Sequence, residues 1–120
     1  ILMENINKDQ KEFWNGKKGN IWVSLEQKID VMLDPLGDAA LKVLAPKTNE
    51  RVLDIGCGTA TTTLKIAKLV GNNGLVTGVD VSKPILECAR QKAKKKLKYN
   101  IDFVLADAQN YKFEPNSQDA

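Results

Sequence analysis

Asp54, Gly56 and Gly58, followed by Asp80 and Asp107, are the residues of this 120-residue chain whose types and spacing suit chemistry. Two glycines so close together remove side chains where a ligand must approach the backbone, and they accept backbone angles that other residues resist. The helix that should follow offers unpaired N–H groups near Thr59 to Thr61. Asp80 stands 24 positions after Gly56, near the spacing of a ribose-binding carboxylate in a βαβ unit. Each hydrogen bond from a ribose hydroxyl to such a carboxylate contributes ~1.5–3 kcal/mol. Taken singly, each feature has a plainer reading, as a tight strand–helix turn or a solvated turn aspartate that caps the next helix. Their coincidence at successive strand ends is what points to a ligand.

Those positions need strands that deliver them to one edge. Arg51 to Ile55 is a short apolar run ending in the glycine loop, as expected of a buried parallel strand. Thr61 to Val70 follows as a helix, Gly71 to Gly74 as a turn, and Leu75 to Val79 as a second strand ending at Asp80. Ser82 caps a helix with Pro84 in its first turn. Ile85, Ala89, Ala93 and Leu97 of that helix face inward at four-residue spacing. Tyr99-Asn100 ends it, and Ile101 to Ala106 makes a third strand ending at Asp107. Strands alternating with helices imply a parallel sheet with right-handed crossovers and helices on both faces. In such open sheets ligands bind outside the carboxyl ends of the strands.

Upstream, residues 1–46 are expected to be helical, and residues 47–120 to form the ligand-binding half-domain. Asp9 to Trp14 suggests a short helix interrupted by Gly16 and Gly19. Ile21, Leu25, Ile29 and Met32 or Leu33 recur at helical spacing from Asn20. Asp34-Pro35 predicts the start of another helix, which places Leu36, Ala39, Ala40, Val43 and Leu44 on one side and stops at Pro46.

A composition of 42% hydrophobic and 28% charged residues fits one globular domain. The net charge of +3 gathers in Gln91 to Lys98, a solvated helix face without the interleaved aromatics that base stacking would need. Cys57 and Cys88 form no disulfide framework, and a chain without histidine has few zinc ligands. The first residues lack the apolar core of a signal peptide, and Met3 reads as a native start. No run approaches the ~20 apolar residues of a membrane span, so a reduced cytoplasmic protein is expected.

The order of residues around the loop separates the nucleotide classes. A nicotinamide or flavin site needs G-x-G-x-x-G, whose third glycine would fall at Thr61, and no Gly-Lys-Ser/Thr of a phosphate loop is present. Val52-Leu53-Asp54-Ile55-Gly56-Cys57-Gly58-Thr59 instead resembles the first motif of class I S-adenosylmethionine-dependent methyltransferases, with Ala60 in place of the last glycine. Gly78-Val79-Asp80-Val81-Ser82 is similar to the acidic motif that follows, and Ala106-Asp107-Ala108-Gln109 to the strand-three motif. Trp14-Asn15-Gly16 and Trp22-Val23 resemble the leader of a subgroup related to ubiquinone and menaquinone methyltransferases.

The resemblance implies an α/β, Rossmann-like parallel sheet, truncated here to about three strands with N-terminal helices. It implies S-adenosylmethionine as donor, S-adenosylhomocysteine as product and a small-molecule acceptor. The backbone of Gly56, Cys57, Gly58 and Thr59, with Thr61 beyond, would meet the methionine part, and Asp54 would organise the loop. Asp80 would bind the ribose and Val81 would pack on adenine. Asp107 would accept the adenine amino hydrogen, the Ala108 N–H would reach a ring nitrogen, and Trp22 would lie near the methionine end. Cys57 reads as a small loop residue rather than a nucleophile, and Cys88 as a packing residue. No catalytic base is nominated. The alternative is a non-catalytic binding module. The family sheet has seven strands, so strands four to seven are expected to be missing. Strand one would then lack a same-chain partner on its far edge and would self-associate there.

Overall fold

A computed structural model describes residues 7–96 and 98–120. The expectations for the first six residues and for Leu97 lie outside the described residues. The described elements are α1 (Lys8–Asn15), α2 (Lys17–Ser24), α3 (Glu26–Leu44), β1 (Arg51–Ile55), α4 (Thr61–Val70), β2 (Leu75–Asp80), α5 (Lys83–Lys94) and β3 (Ile101–Leu105). The three strands form one parallel sheet in the order β1-β2-β3, in register at Val52↔Val76 and Val76↔Ile101.

The expectation of helices on both faces is not met for the two crossover helices. Val52, Val76 and Ile101 share one sheet face and pack with Ile66, Ala67 and Val70 of α4. Phe103, on that same face, packs with Leu86 and Ala89 of α5. Strand order advances in one direction, so two right-handed crossovers fall on the same side. Ser82 caps α5 as its sequence predicts, its Oγ accepting from the Ile85 N–H at 3.4 Å. The inward face of α5 also includes Leu86, which a strict four-residue spacing leaves out; Ala93 is only half-buried.

Two predicted breaks in the N-terminal helices do not occur. Gly19 lies inside α2, buried, and a Cβ there would collide with the Trp14 carbonyl oxygen. This glycine serves close approach and not helix termination. Pro35 lies inside α3, which runs unbroken from Glu26 to Leu44. Proline removes one helical hydrogen bond and crowds the preceding turn. Lys65 of α4 bridges Asp34 and Asp38, on either side of Pro35, at 2.7 Å each. The break between helices falls instead at Leu25, where the Ser24 hydroxyl donates to the Ile21 carbonyl at 2.7 Å, a back-bond that bends helices.

α3 also turns a different side inward. Leu36 and Val43, predicted to face the core, are 69% and 89% exposed. The side toward the fold carries Asp34, Gly37, Asp38 and Leu41: Gly37 approaches Thr62, and Leu41 packs against the core. A second lysine completes the attachment. Lys92 of α5 lies 2.9 Å from Glu26 and 3.6 Å from Asp30, so this residue faces α3 rather than the outer, solvated surface.

The far edge of β1 is partly occupied. The Leu53 N–H donates to the Ala120 carbonyl at 2.9 Å, and the Asp119 N–H donates to the Arg51 carbonyl at 2.7 Å. The Asp119 carboxylate also accepts from the Arg51 N–H at 2.8 Å. The expectation of an edge with no same-chain partner is therefore corrected for its first half, because the chain returns from β3 to lie alongside it. No helix among the described residues is long and apolar enough to cross a membrane.

Candidate functional site

The loop after β1 begins with the geometry its glycines require. Gly56 and Gly58 have φ of +70° and +57°, and nothing lies within 4 Å of where their Cβ atoms would stand. Open space in front of two left-handed glycines is what a ligand lying on the backbone needs. The loop is pinned from behind by the Gly56 and Cys57 N–H groups, which donate to the Val79 carbonyl at 2.7 and 3.0 Å. Ala60 takes φ of +73° at the N-cap of α4 and is fully buried. Its methyl group joins the cluster of Cys57, Leu86 and Ala89, so the departure from glycine fills the core and leaves the ligand side of the loop clear. α4 has no side-chain cap.

Asp80, at the end of β2, ties the loop to the neighbouring strand. Its Oδ2 accepts from the Gly58 N–H at 3.0 Å and its Oδ1 from the Ser82 N–H at 2.9 Å. An ionised carboxylate offers about four acceptor sites, so two remain for a ligand. Asp107, at the end of β3, has a side chain only 3% exposed. Its Oδ1 accepts from the Gln109 N–H at 3.0 Å, whereas its Oδ2 is buried without a hydrogen-bond partner. Lys11 of α1 stands 4.0 Å from that oxygen.

Asp54 faces inward and accepts from the Thr63 hydroxyl at 2.7 Å, which fixes the first turn of α4 to β1. Burial foremost holds its carboxyl above the usual aspartate range, against the pull of Thr63, and the Asp80 charge adds to the rise. The folded chain thus keeps this proton where the unfolded chain has released it. Its stability contribution is present below the ordinary aspartate pKa and lost as pH climbs through the raised one. Asp54→Asn keeps an acceptor for Thr63 and removes the ionisation. Its thermal midpoint is expected to lack the wild-type decline across that window, as followed by melting at a series of mildly acidic pH values. Equal slopes in the two proteins would remove Asp54 from the account.

Asp80, Asp107, Val81, Ala108, Gly56 and Gly58 line one groove of about 450 Å³, which Asn7, Trp14 and Trp22 wall from the N-terminal side. A smaller cavity of about 180 Å³ adjoins it across Trp22, Gly56 and Gly58, and Cys57, Thr59 and Thr61 lie on this second cavity. All the expected site residues except Asp54 thus line the two spaces, and Asp54 stands behind the loop. Burial foremost, with the Asp54 and Asp80 charges, pushes the Cys57 thiol up to about 12, which keeps it protonated and unreactive. The Cys88 thiol is pushed up to about 11, by burial and by Glu26, to which it donates at 3.0 Å. Burial acts to raise Glu26, but the hydrogen bonds from Cys88 and Lys92 outweigh it and hold the carboxyl below its usual range.

Sequence reasoning missed Asn7, Trp14, Thr63 and Lys11. Thr63 carries a weak signal, a hydroxyl one helical turn past the loop. The other three reach the site only through tertiary packing of α1.

A parallel sheet with a glycine loop after β1 and acidic residues ending β2 and β3 defines a class I, S-adenosylmethionine-dependent methyltransferase fold. Residues 52–120 match the methyltransferase domain family, and the chain belongs to it. Demethylmenaquinone methyltransferase of Staphylococcus saprophyticus is 40% identical over 79 residues, 66% of this chain and 33% of that protein. Aklanonic acid methyltransferase DauC of Streptomyces is 36% identical over 85 residues, covering 71% and 39%. A solved SAM-dependent methyltransferase from Aquifex aeolicus superposes with a TM-score of 0.62 at 25% identity, covering 69% of this chain and 44% of that one. The chain therefore spans between a third and two-fifths of the length of these curated relatives.

Proposed function

We propose that the groove holds S-adenosylmethionine and that the protein uses it to methylate a small molecule. The observation that carries this reading is the buried Asp107 Oδ2, left without a hydrogen-bond partner and with only the Lys11 ammonium 4.0 Å away, in the wall of a groove that also presents Asp80. A buried carboxylate oxygen is costly to leave unpaired, and an adenine amino group is a donor suited to it. Asp80 would take the ribose hydroxyls and Val81 the adenine face. The Ala108 N–H would meet a ring nitrogen, and the loop from Gly56 to Thr59, with Thr61 beyond it, would cradle the methionine part beside Trp22.

The cofactor supplies an activated methyl group on a sulfonium cation. This chain's residues contribute orientation and the exclusion of water, through Trp14 and Trp22 in the groove wall, and much of the rate can come from such placement. Asp54, Asp80 and Asp107 also give the region a negative character that favours a cation. The names of the relatives, which include demethylmenaquinone and aklanonic acid methyltransferases, support a small organic acceptor. Two unpaired thiols support a reducing compartment, the cytoplasm.

Calorimetric titration with S-adenosylhomocysteine tests the reading. Saturable heat and a raised melting midpoint are expected, with neither from a nicotinamide dinucleotide. Absence of both effects with S-adenosylhomocysteine would sink the proposal.

A further inference from the structure

The bend between α1 and α2 is fastened to the turn that follows Asp80. Asn15 donates through Nδ2 to the Val81 carbonyl at 2.8 Å and to the Lys11 carbonyl at 2.8 Å. Its Oδ1 accepts from the Lys83 N–H at 2.8 Å. Both amide hydrogens and the oxygen are thus engaged, a pattern that neither aspartate nor serine reproduces. Next to it, the fully buried Ser82 donates through Oγ to the Trp14 carbonyl at 2.6 Å. Gly19 lets α2 lie against that carbonyl and against Ser82.

The turn held in this way carries the candidate site. The Ser82 N–H donates to Asp80, which in turn accepts from Gly58, and Val81 lines the groove. The same bend aims Trp14 and Trp22 into the groove from the other side, their rings meeting edge to face at 5.4 Å. We infer that Asn15 is a positioning residue for cofactor binding. It latches the N-terminal helices to the Val81–Lys83 turn, so that groove wall and Asp80 carboxylate are set together. The inference rests on the proposed cofactor site. By linkage, a ligand that orders the turn also orders α1 and α2, and loss of the latch weakens the ligand.

Asn15→Ala is the variant to compare with wild type, by S-adenosylhomocysteine titration and by tryptophan emission. The chain has two tryptophans, Trp14 and Trp22, so their emission reports the groove wall alone. The variant is expected to bind about tenfold more weakly and to lose most of the emission change on ligand addition. Asn15→Ser keeps a hydroxyl that can hold one of these partners. It is expected to fall between the two, and it serves as the test protein if the alanine variant does not fold. A lowered melting midpoint with unchanged affinity and emission response would make Asn15 merely structural and overturn the inference. If wild type itself bound no S-adenosylhomocysteine, the cofactor reading would fall separately. The latch would then be judged by amide exchange at Lys83, which must quicken in the variant; an unchanged rate refutes it.

Discussion

Alanine at Asp80 is expected to raise the Kd for S-adenosylhomocysteine by about 10²- to 10⁴-fold in calorimetric titration. The size follows from losing two charged hydrogen bonds to ribose hydroxyls, at about 1.5–3 kcal/mol each. A second effect separates Asp80 from a residue that only touches ligand. Its carboxylate also satisfies the Gly58 and Ser82 N–H groups, and the unliganded variant should melt roughly 5–10 °C lower once both are orphaned. Asp80→Asn keeps one acceptor oxygen and is expected to recover part of the stability but little of the affinity. Wild-type affinity in Asp80→Ala would remove the ribose assignment, whatever happened to the melting curve.

A change of base preference is expected from Asp107→Asn. The Gln109 N–H holds one oxygen of Asp107, and an asparagine there would keep its oxygen on that donor. Its amide N–H groups would then occupy the place of Oδ2, which has no hydrogen-bond partner, so an acceptor becomes a donor. S-adenosylhomocysteine, whose adenine offers an amino group, should bind roughly 10–100-fold more weakly. The inosine analogue, with a carbonyl oxygen at the same ring position, should gain relative to it. Measuring both affinities for both proteins gives a ratio insensitive to general damage. An unchanged ratio would mean that Asp107 does not face the base.

The contrast between these aspartates and the N-terminal helices shows what the sequence makes legible. β1 and α4 fall where their apolar runs and the glycine loop predict, because a buried parallel strand and a tight turn are dictated by nearby residues. Asp80 and Asp107 follow from strand ends, and the sheet brings them to one groove. α3 defied its local signals for the opposite reason. Asp34-Pro35 has the form of a helix start, yet the helix runs on through it, with Lys65, 31 positions beyond Asp34, bridging the two sides of the proline. Gly19 has the form of a breaker, and only the position of the Trp14 carbonyl shows that it serves packing. The inward face of α3 could not be found from hydrophobic spacing, since it is set by acidic residues paired with lysines of other helices. Trp14, Asn7 and Lys11 belong to the site through the same kind of distant contact.

The attachment of α3 has a kinetic consequence. This helix buries no residue fully and is held mainly by the Lys65 and Lys92 bridges, with the Cys88–Glu26 hydrogen bond and the packing of Leu41 beside them. Partly exposed ion pairs of this kind contribute little, about 0–1 kcal/mol each, and weaken as salt screens them. α3 is thus expected to open as a separate unit at less cost than global unfolding. Because it lines the smaller cavity through Ile29, Asp30, Leu33 and Asp34, each excursion uncovers that space to solvent. Raising ionic strength is therefore expected to make such excursions more frequent, read as faster amide exchange along α3 with the sheet unaffected.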